Sequence, residues 1–300
     1  VISRRRLLLG GAAVVAAGGG AAYGLVDAGV VPGRSYLDQA LGRCDVSAPW
    51  PHDAPPVSRT DATFVSAARR RTVPYTVVRP AGVGGTLPLV LVLHGRGASA
   101  AEYVDGLHLD AFLAAHVAAG RRPFALACAQ GGNGYWHPRA DGDDPLRMLT
   151  DELLPLLRRA YGVTTDPMGV LGWSMGGYGA LLWSRLAGSG RLPAGVRLAA
   201  AVAESPALFR SYATASRGAF DSAADFAEWG DLIRSPGVDP HAVALRVDCG
   251  ERDPFEGVTR AYRAAVRPEP AGGFTPGCHD GPYWRSRAAA QVPFLGDRLG

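Results

Sequence analysis

The chain contains no lysine; all 31 of its basic residues are arginine. Set beside its wealth of alanine and glycine, this reads as the coding bias of a GC-rich genome, not as a device for binding. Net charge is scarce too, at +4 over 300 residues. The triplet Arg4–Arg6 supplies three of those charges, and no acid occurs within residues 1–22. That leaves no basic surface of the kind a nucleic-acid partner requires. There are only four cysteines, none spaced as metal ligands are, so no metal site is expected. No segment repeats, which excludes a solenoid or propeller. No pattern implies an organic cofactor. What remains is a chain long enough for one large domain or two small ones. Its 47% hydrophobic and 8% aromatic content allows a sizeable core.

The first residues are organised by charge. Ser3-Arg4-Arg5-Arg6-Leu7 leads into an apolar, Gly/Ala-rich stretch ending near Ala22. A basic start, an apolar middle and small residues make an export signal. The arginines between Ser and Leu resemble a twin-arginine signal. Two readings stand for residues 1–31: a signal cleaved near Gly20-Ala21-Ala22, or a retained anchor giving membrane association through residues 7–31. Either way the expected location is the cell envelope or the exterior. Residues 32–59, punctuated by proline and glycine, read as a linker or extended arm.

From residue 60 to 300 the pattern is that of one domain. Residues 62–67 and 73–79 predict an antiparallel pair of strands around a solvated Arg69-Arg70-Arg71 turn. Leu87–His94 is an unbroken apolar run, as expected for a strand covered on both faces of a parallel sheet. Helical patterns follow over 100–119 and 146–160. Further strands are predicted at 124–129, up to Val170, at 196–202 and at 243–247. This alternation predicts an α/β fold with a doubly wound, mostly parallel sheet and helices on both faces. Residues 205–240 read as an insertion too short for a large lid.

One sharp turn carries the chemistry. Gly172-Trp173-Ser174-Met175-Gly176 ends an apolar run and opens a helical pattern. A serine raised on a strained strand-to-helix turn needs small residues two before and two after it, and both are glycine. Taken alone, the five-residue string also fits a flexible glycine turn; the strand before and the helix after favour the elbow. An elbow of this kind requires an acid and then a histidine downstream. Asp253, a few residues past the 243–247 strand, is the selected acid, with Asp248 and Glu251 as rivals. His279 is the only histidine after it. The amides of Met175 and Arg96 are the expected oxyanion donors, with glycines around Arg96 letting the backbone come close. His94 is expected to be structural. Tyr135 and Trp136 are placed at the mouth as substrate contacts, against a competing reading as packing beneath a loop. Trp173, beside the serine, joins them as a substrate contact.

Together, His94-Gly95, the Gly-Trp-Ser-Met-Gly-Gly elbow, Gly250-x-x-Asp253-Pro254-Phe255 and Gly277-x-His279-Asp280-x-x-x-Trp284 resemble the putative-esterase branch of the α/β hydrolases. Relatives in that branch include esterase D (S-formylglutathione hydrolase), feruloyl esterases and the antigen 85 mycolyltransferases. The resemblance spans about residues 60–300 and implies an α/β-hydrolase fold with Ser174, Asp253 and His279 as catalytic residues. The substrate would be a small-molecule, lipid or glycan ester. Residues 1–59 match no pattern of the family, and Cys278 stands where a small residue is usual, which leaves the ester unassigned. An exported esterase is therefore the expected function. An envelope acyltransferase using the same residues and a non-catalytic, membrane-tethered binding protein are the alternatives; a serine peptidase would need a further domain. The nearness of Cys249 to Asp253, and of Cys278 to His279, predicts a Cys249–Cys278 disulfide across the two loops. Cys128 reads as a buried thiol.

Overall fold

The computed structural model describes residues 37, 38, 40–239 and 241–300. The expected export segment, residues 1–31, lies outside the described residues. The chain divides into two compact units, Val1–Asp45 and Val46–Gly300. In the first, the Arg43 guanidinium bonds the buried Asp38 carboxylate at 3.2 Å. The second carries the whole sheet, and its boundary falls inside the segment expected to be an arm. Residues 46–56 form neither helix nor strand and turn at His52-Asp53, where the Ala54 amide donates to the Pro51 carbonyl at 3.2 Å, and Trp50 stacks on His108 with ring centroids 4.1 Å apart.

β1 (Val57–Ser66) and β2 (Arg71–Pro80) form an antiparallel hairpin. Its turn is not simply solvated. Arg69 is buried, with its guanidinium held by both Asp143 oxygens at 2.5 and 2.8 Å and by the Gln130 carbonyl at 2.8 Å. β3 (Leu87–Leu93) follows, with Leu89, Leu91 and Leu93 facing one core and Val90 and Val92 the other. Such two-sided burial is what its unbroken apolar run requires. The helix expected over 100–119 is split: a single turn at Glu102–Asp105 ends before α1 (Leu109–Ala118), with His108 at φ +54° between them. β4 (Ala125–Ala129) precedes a helical segment from Pro145 that passes through a π-helical turn into α2 (Leu154–Tyr161).

β5 (Val163–Trp173) leads directly through Ser174 into α3 (Met175–Gly188). β6 (Leu198–Glu204), β7 (Ala244–Gly250), α4 (Glu256–Ala265), β8 (Ala271–Thr275) and α5 (Gly281–Gly296) complete the domain. Among the described residues the sheet has eight strands in the order β1-β2-β4-β3-β5-β6-β7-β8. All pairs from β4 to β8 are parallel. α2, α3 and α4 pack on one face, α1 and α5 on the other. Loops leaving the carboxyl ends of β3, β5 and β7 therefore meet at one edge, where open α/β sheets place their sites. Among the described residues no helix is long and apolar enough to cross a membrane.

Candidate active site

Ser174 sits at φ +56°, ψ −119°, a backbone conformation a non-glycine residue occupies only under constraint, at a cost of about 1–3 kcal/mol. The constraint is visible on both sides. Its amide donates to the Glu204 carbonyl at 2.9 Å, and its carbonyl accepts from Tyr178 and Ala207 at 3.0 Å each. The flanking glycines have no room for a side chain. A Cβ on Gly172 would stand 2.2 Å from the Gly176 carbonyl oxygen, and one on Gly176 would stand 1.8 Å from that of Leu93. Strand and helix pass backbone to backbone, and Ser174 is pushed to the apex.

Asp253 and His279 arrive from the loops after β7 and β8. Those loops are stitched by main-chain bonds: Glu251 amide to Thr275 carbonyl at 2.9 Å and Arg252 amide to Gly277 carbonyl at 3.0 Å. His279 bonds Asp253 Oδ2 through Nδ1 at 2.8 Å and Ser174 Oγ through Nε2 at 2.9 Å. Ionised Asp253 accepts only, so Nδ1 carries the proton and Nε2 accepts from the serine hydroxyl. The second Asp253 oxygen accepts the Phe255 amide at 2.8 Å, and its carboxylate is fully removed from solvent. The rival acids stand elsewhere: Asp248 is clasped by Arg246 at 2.7 and 2.9 Å, and Glu251 is exposed.

Met175 is the first residue of α3, so its amide has no acceptor within the helix. Arg96 follows Gly95, where an added Cβ would stand 3.4 Å from Ser174 Cβ. The 94–100 loop that carries Arg96 is pinned from the loop after β4. Asn133 accepts the Gly97 amide at 2.8 Å, and Gln130 bonds Ala98 and Ala100 at 3.1 and 2.9 Å. His94 is structural, as expected. Its Nε2 accepts the Gly131 amide at 2.9 Å, and its Nδ1 donates to the Gly95 carbonyl at 2.7 Å. Burial lowers this imidazole to about 4, so it stays neutral and the two loops stay joined.

Three expected substrate contacts are corrected. Trp136 is fully buried and packs edge-on against His94. Tyr135 is 2% exposed among Tyr178, Phe209 and Phe220. Trp173 is 1% exposed, with Nε1 2.8 Å from where a Gly95 Cβ would stand. These rings support the site from beneath. Its flanks are instead Phe255 and Trp284, whose rings lie 5.2 and 5.1 Å from the His279 ring. Both were present in the sequence motifs, at fixed distances from Asp253 and His279.

The Cys249–Cys278 bridge is also corrected. Cys128 and Cys249 are free, buried thiols, whereas Cys278 is disulfide-bonded. Strand alternation explains it: Cys249 shares the face of Val247, toward α4, and lies by the Thr259 and Ser205 hydroxyls. Burial raises this thiol far above its ordinary range, so it stays protonated. Among the described residues no cluster of His, Cys, Asp or Glu is suited to a metal ion.

The eight-stranded, mostly parallel sheet with helices on both faces is the α/β-hydrolase fold. Residues 66–188 match the family model described as Putative esterase. Among solved structures the chain resembles a ferulic acid esterase, at 21% identity and a TM-score of 0.66 over 80% of this chain and 98% of the other. It also resembles FphF, a fluorophosphonate-binding serine hydrolase of Staphylococcus aureus, at 17% identity and a TM-score of 0.61 over 80% and 99%. An S-formylglutathione hydrolase from Agrobacterium tumefaciens matches at 14% identity and a TM-score of 0.61 over 81% and 96%. At these identities the likeness speaks for the fold. No curated protein sequence matches the chain.

Proposed function

We propose that this protein hydrolyses carboxylic esters through an acyl-enzyme on Ser174. The observation that carries the reading is His279, bonded through one nitrogen to Ser174 Oγ at 2.9 Å and through the other to Asp253 at 2.8 Å. Nε2 takes the hydroxyl proton as Oγ attacks the ester carbonyl. The carbonyl oxygen becomes an oxyanion and takes hydrogen bonds from the Met175 and Arg96 amides. The imidazolium, stabilised by buried Asp253, returns the proton to the departing alkoxide. Water then enters, Nε2 accepts its proton, and the acid is released with Ser174 restored. Transfer to a sugar hydroxyl would run through the same atoms, and the product formed in the presence of an added alcohol distinguishes the two. The binding-protein alternative has no need of an imidazole poised between a serine and an acid. In the experiment that tests this reading, purified protein turns over a short p-nitrophenyl ester, and Ser174→Ala, still folded, loses about 10⁴-fold or more. Undiminished turnover in that variant removes Ser174 from the reaction.

The reading includes export by the twin-arginine route, supported by Ser3-Arg4-Arg5-Arg6-Leu7. Replacing all three arginines with lysine keeps the charge and removes the guanidinium groups, so export should stop. Export that continues unchanged argues for a general secretory signal or a simple anchor.

A further inference from the structure

At the carboxyl ends of β6 and β7 the parallel register sets Glu204 directly beside Asp248. Strand alternation sends Ala200, Val202 and Glu204 to the face on which Ala288, Val292 and Leu295 of α5 pack. Asp248 is on the same face, where Gln291 of α5 donates to its Oδ2 at 3.1 Å. Glu204 is 1% exposed and Asp248 2%. Two carboxyl groups therefore lie side by side beneath one helix, out of water. Like charges directly opposite each other destabilise a sheet, and a buried charge without a partner costs more still.

The cations nearby do not resolve this. Arg246 places both its Nε and its Nη2 on Asp248. Arg287 of α5 faces Glu204 without a hydrogen bond to it and bonds Ser286 instead. The hydroxyl of Tyr283, the other titratable group of α5 facing this pair, is engaged by Thr275. Two buried acceptors are left without any donor, Oε1 of Glu204 and Oε1 of Gln291. A proton on Glu204 would turn that carboxyl into a donor, and Gln291, in contact with it from α5, carries the open acceptor.

We propose that Glu204 is a positioning residue for the nucleophile elbow, held as a neutral carboxylic acid whose proton is shared with Gln291. The connection to the elbow is direct. The Glu204 carbonyl accepts the Ser174 amide at 2.9 Å, and the next residue, Ser205, at φ +45°, donates its amide to the Asp248 carbonyl at 2.8 Å. The end of β6 thus ties the serine on one side to the strand that launches Asp253 on the other. Ionising Glu204 drives the two carboxylates apart at the point where both catalytic loops begin.

Burial, with Asp248 beside it, raises the Glu204 carboxyl well above its ordinary 4.5. Above that value the unfolded chain has released a proton that the native protein still holds. Stability from this group is therefore full below the unfolded value and falls as pH rises toward the folded one. Glu204→Gln replaces the acid with an amide that donates the same bond and carries no proton to lose.

The decisive measurement is difference infrared spectroscopy of the intact protein at neutral pH, wild type against E204Q. A protonated-carboxyl C=O band that is present in the wild type, shifts in D₂O and is missing in E204Q is the expected result. Its absence from the wild type overturns the proposal. Melting temperature should fall more steeply with pH in the wild type than in E204Q between about pH 5 and 8; equal slopes also overturn it. If E204Q fails to fold, the wild-type band and its D₂O shift alone decide. The kinetic arm rests on the Ser174 reading: Glu204→Ala should lose roughly ten- to a hundredfold in kcat with KM little changed, and E204Q should restore most of it. Equal kcat in E204A and wild type overturns the positioning role. The infrared arm needs no turnover, so it separates failure of this proposal from failure of the esterase reading.

Discussion

Gly176 lies so close to Leu93 that a Cβ on it would stand 1.8 Å from the Leu93 carbonyl oxygen. The first turn of α3 rides on the backbone of β3, and this contact sets the height at which Ser174 leaves the sheet. Gly176→Ala should therefore cost at least about 4 kcal/mol, seen as a large drop in melting temperature or as loss of soluble protein. Gly257 is the control. It lies in α4 with nothing within 4 Å of an added Cβ, so Gly257→Ala should stabilise by about 0.5–1 kcal/mol. A well-folded Gly176→Ala variant with unchanged melting temperature would mean that the elbow packs differently.

Asp253→Asn should leave the fold intact and lower kcat by about 10⁴-fold. An asparagine amide directed at Nδ1 favours the tautomer with the proton on Nε2, which no longer accepts from Ser174. Activity measured on short esters, with circular dichroism as the check on folding, decides it. A loss below tenfold would shift the acid's role to another carboxylate.

Much of this was legible in the sequence. The elbow, the order of serine, acid and histidine, and the buried Leu87–Leu93 strand are local signals: glycine spacing, apolar runs and chain order. What was not legible depends on which way a side chain turns. Tyr135, Trp136 and Trp173 stand next to the site in sequence but are buried beneath it. β8, Ala-Gly-Gly-Phe-Thr, carries no strand pattern and is a strand because β7 offers it an edge. Arg69 looked like part of a solvated run, and its partner Asp143 is 74 residues away. The pairing of Glu204 with Asp248 exists only in the register of two parallel strands.

Cysteine chemistry gives a third test. Peptide mapping under non-reducing conditions should find Cys128 and Cys249 as thiols that alkylate only after denaturation, because both are buried. Cys278 should resist alkylation until it is reduced. A Cys249–Cys278 cross-linked peptide would contradict the described orientation of β7.

The central claim is that Ser174 is a nucleophile activated by His279. Incubation of the native protein with a fluorophosphonate probe, followed by mass-spectrometric mapping of the modified peptide, tests it most directly. One adduct is expected, on Ser174, formed at least about a hundredfold more slowly once His279 is replaced by alanine. No adduct on Ser174 of the folded protein, or one that forms equally fast without His279, would contradict it.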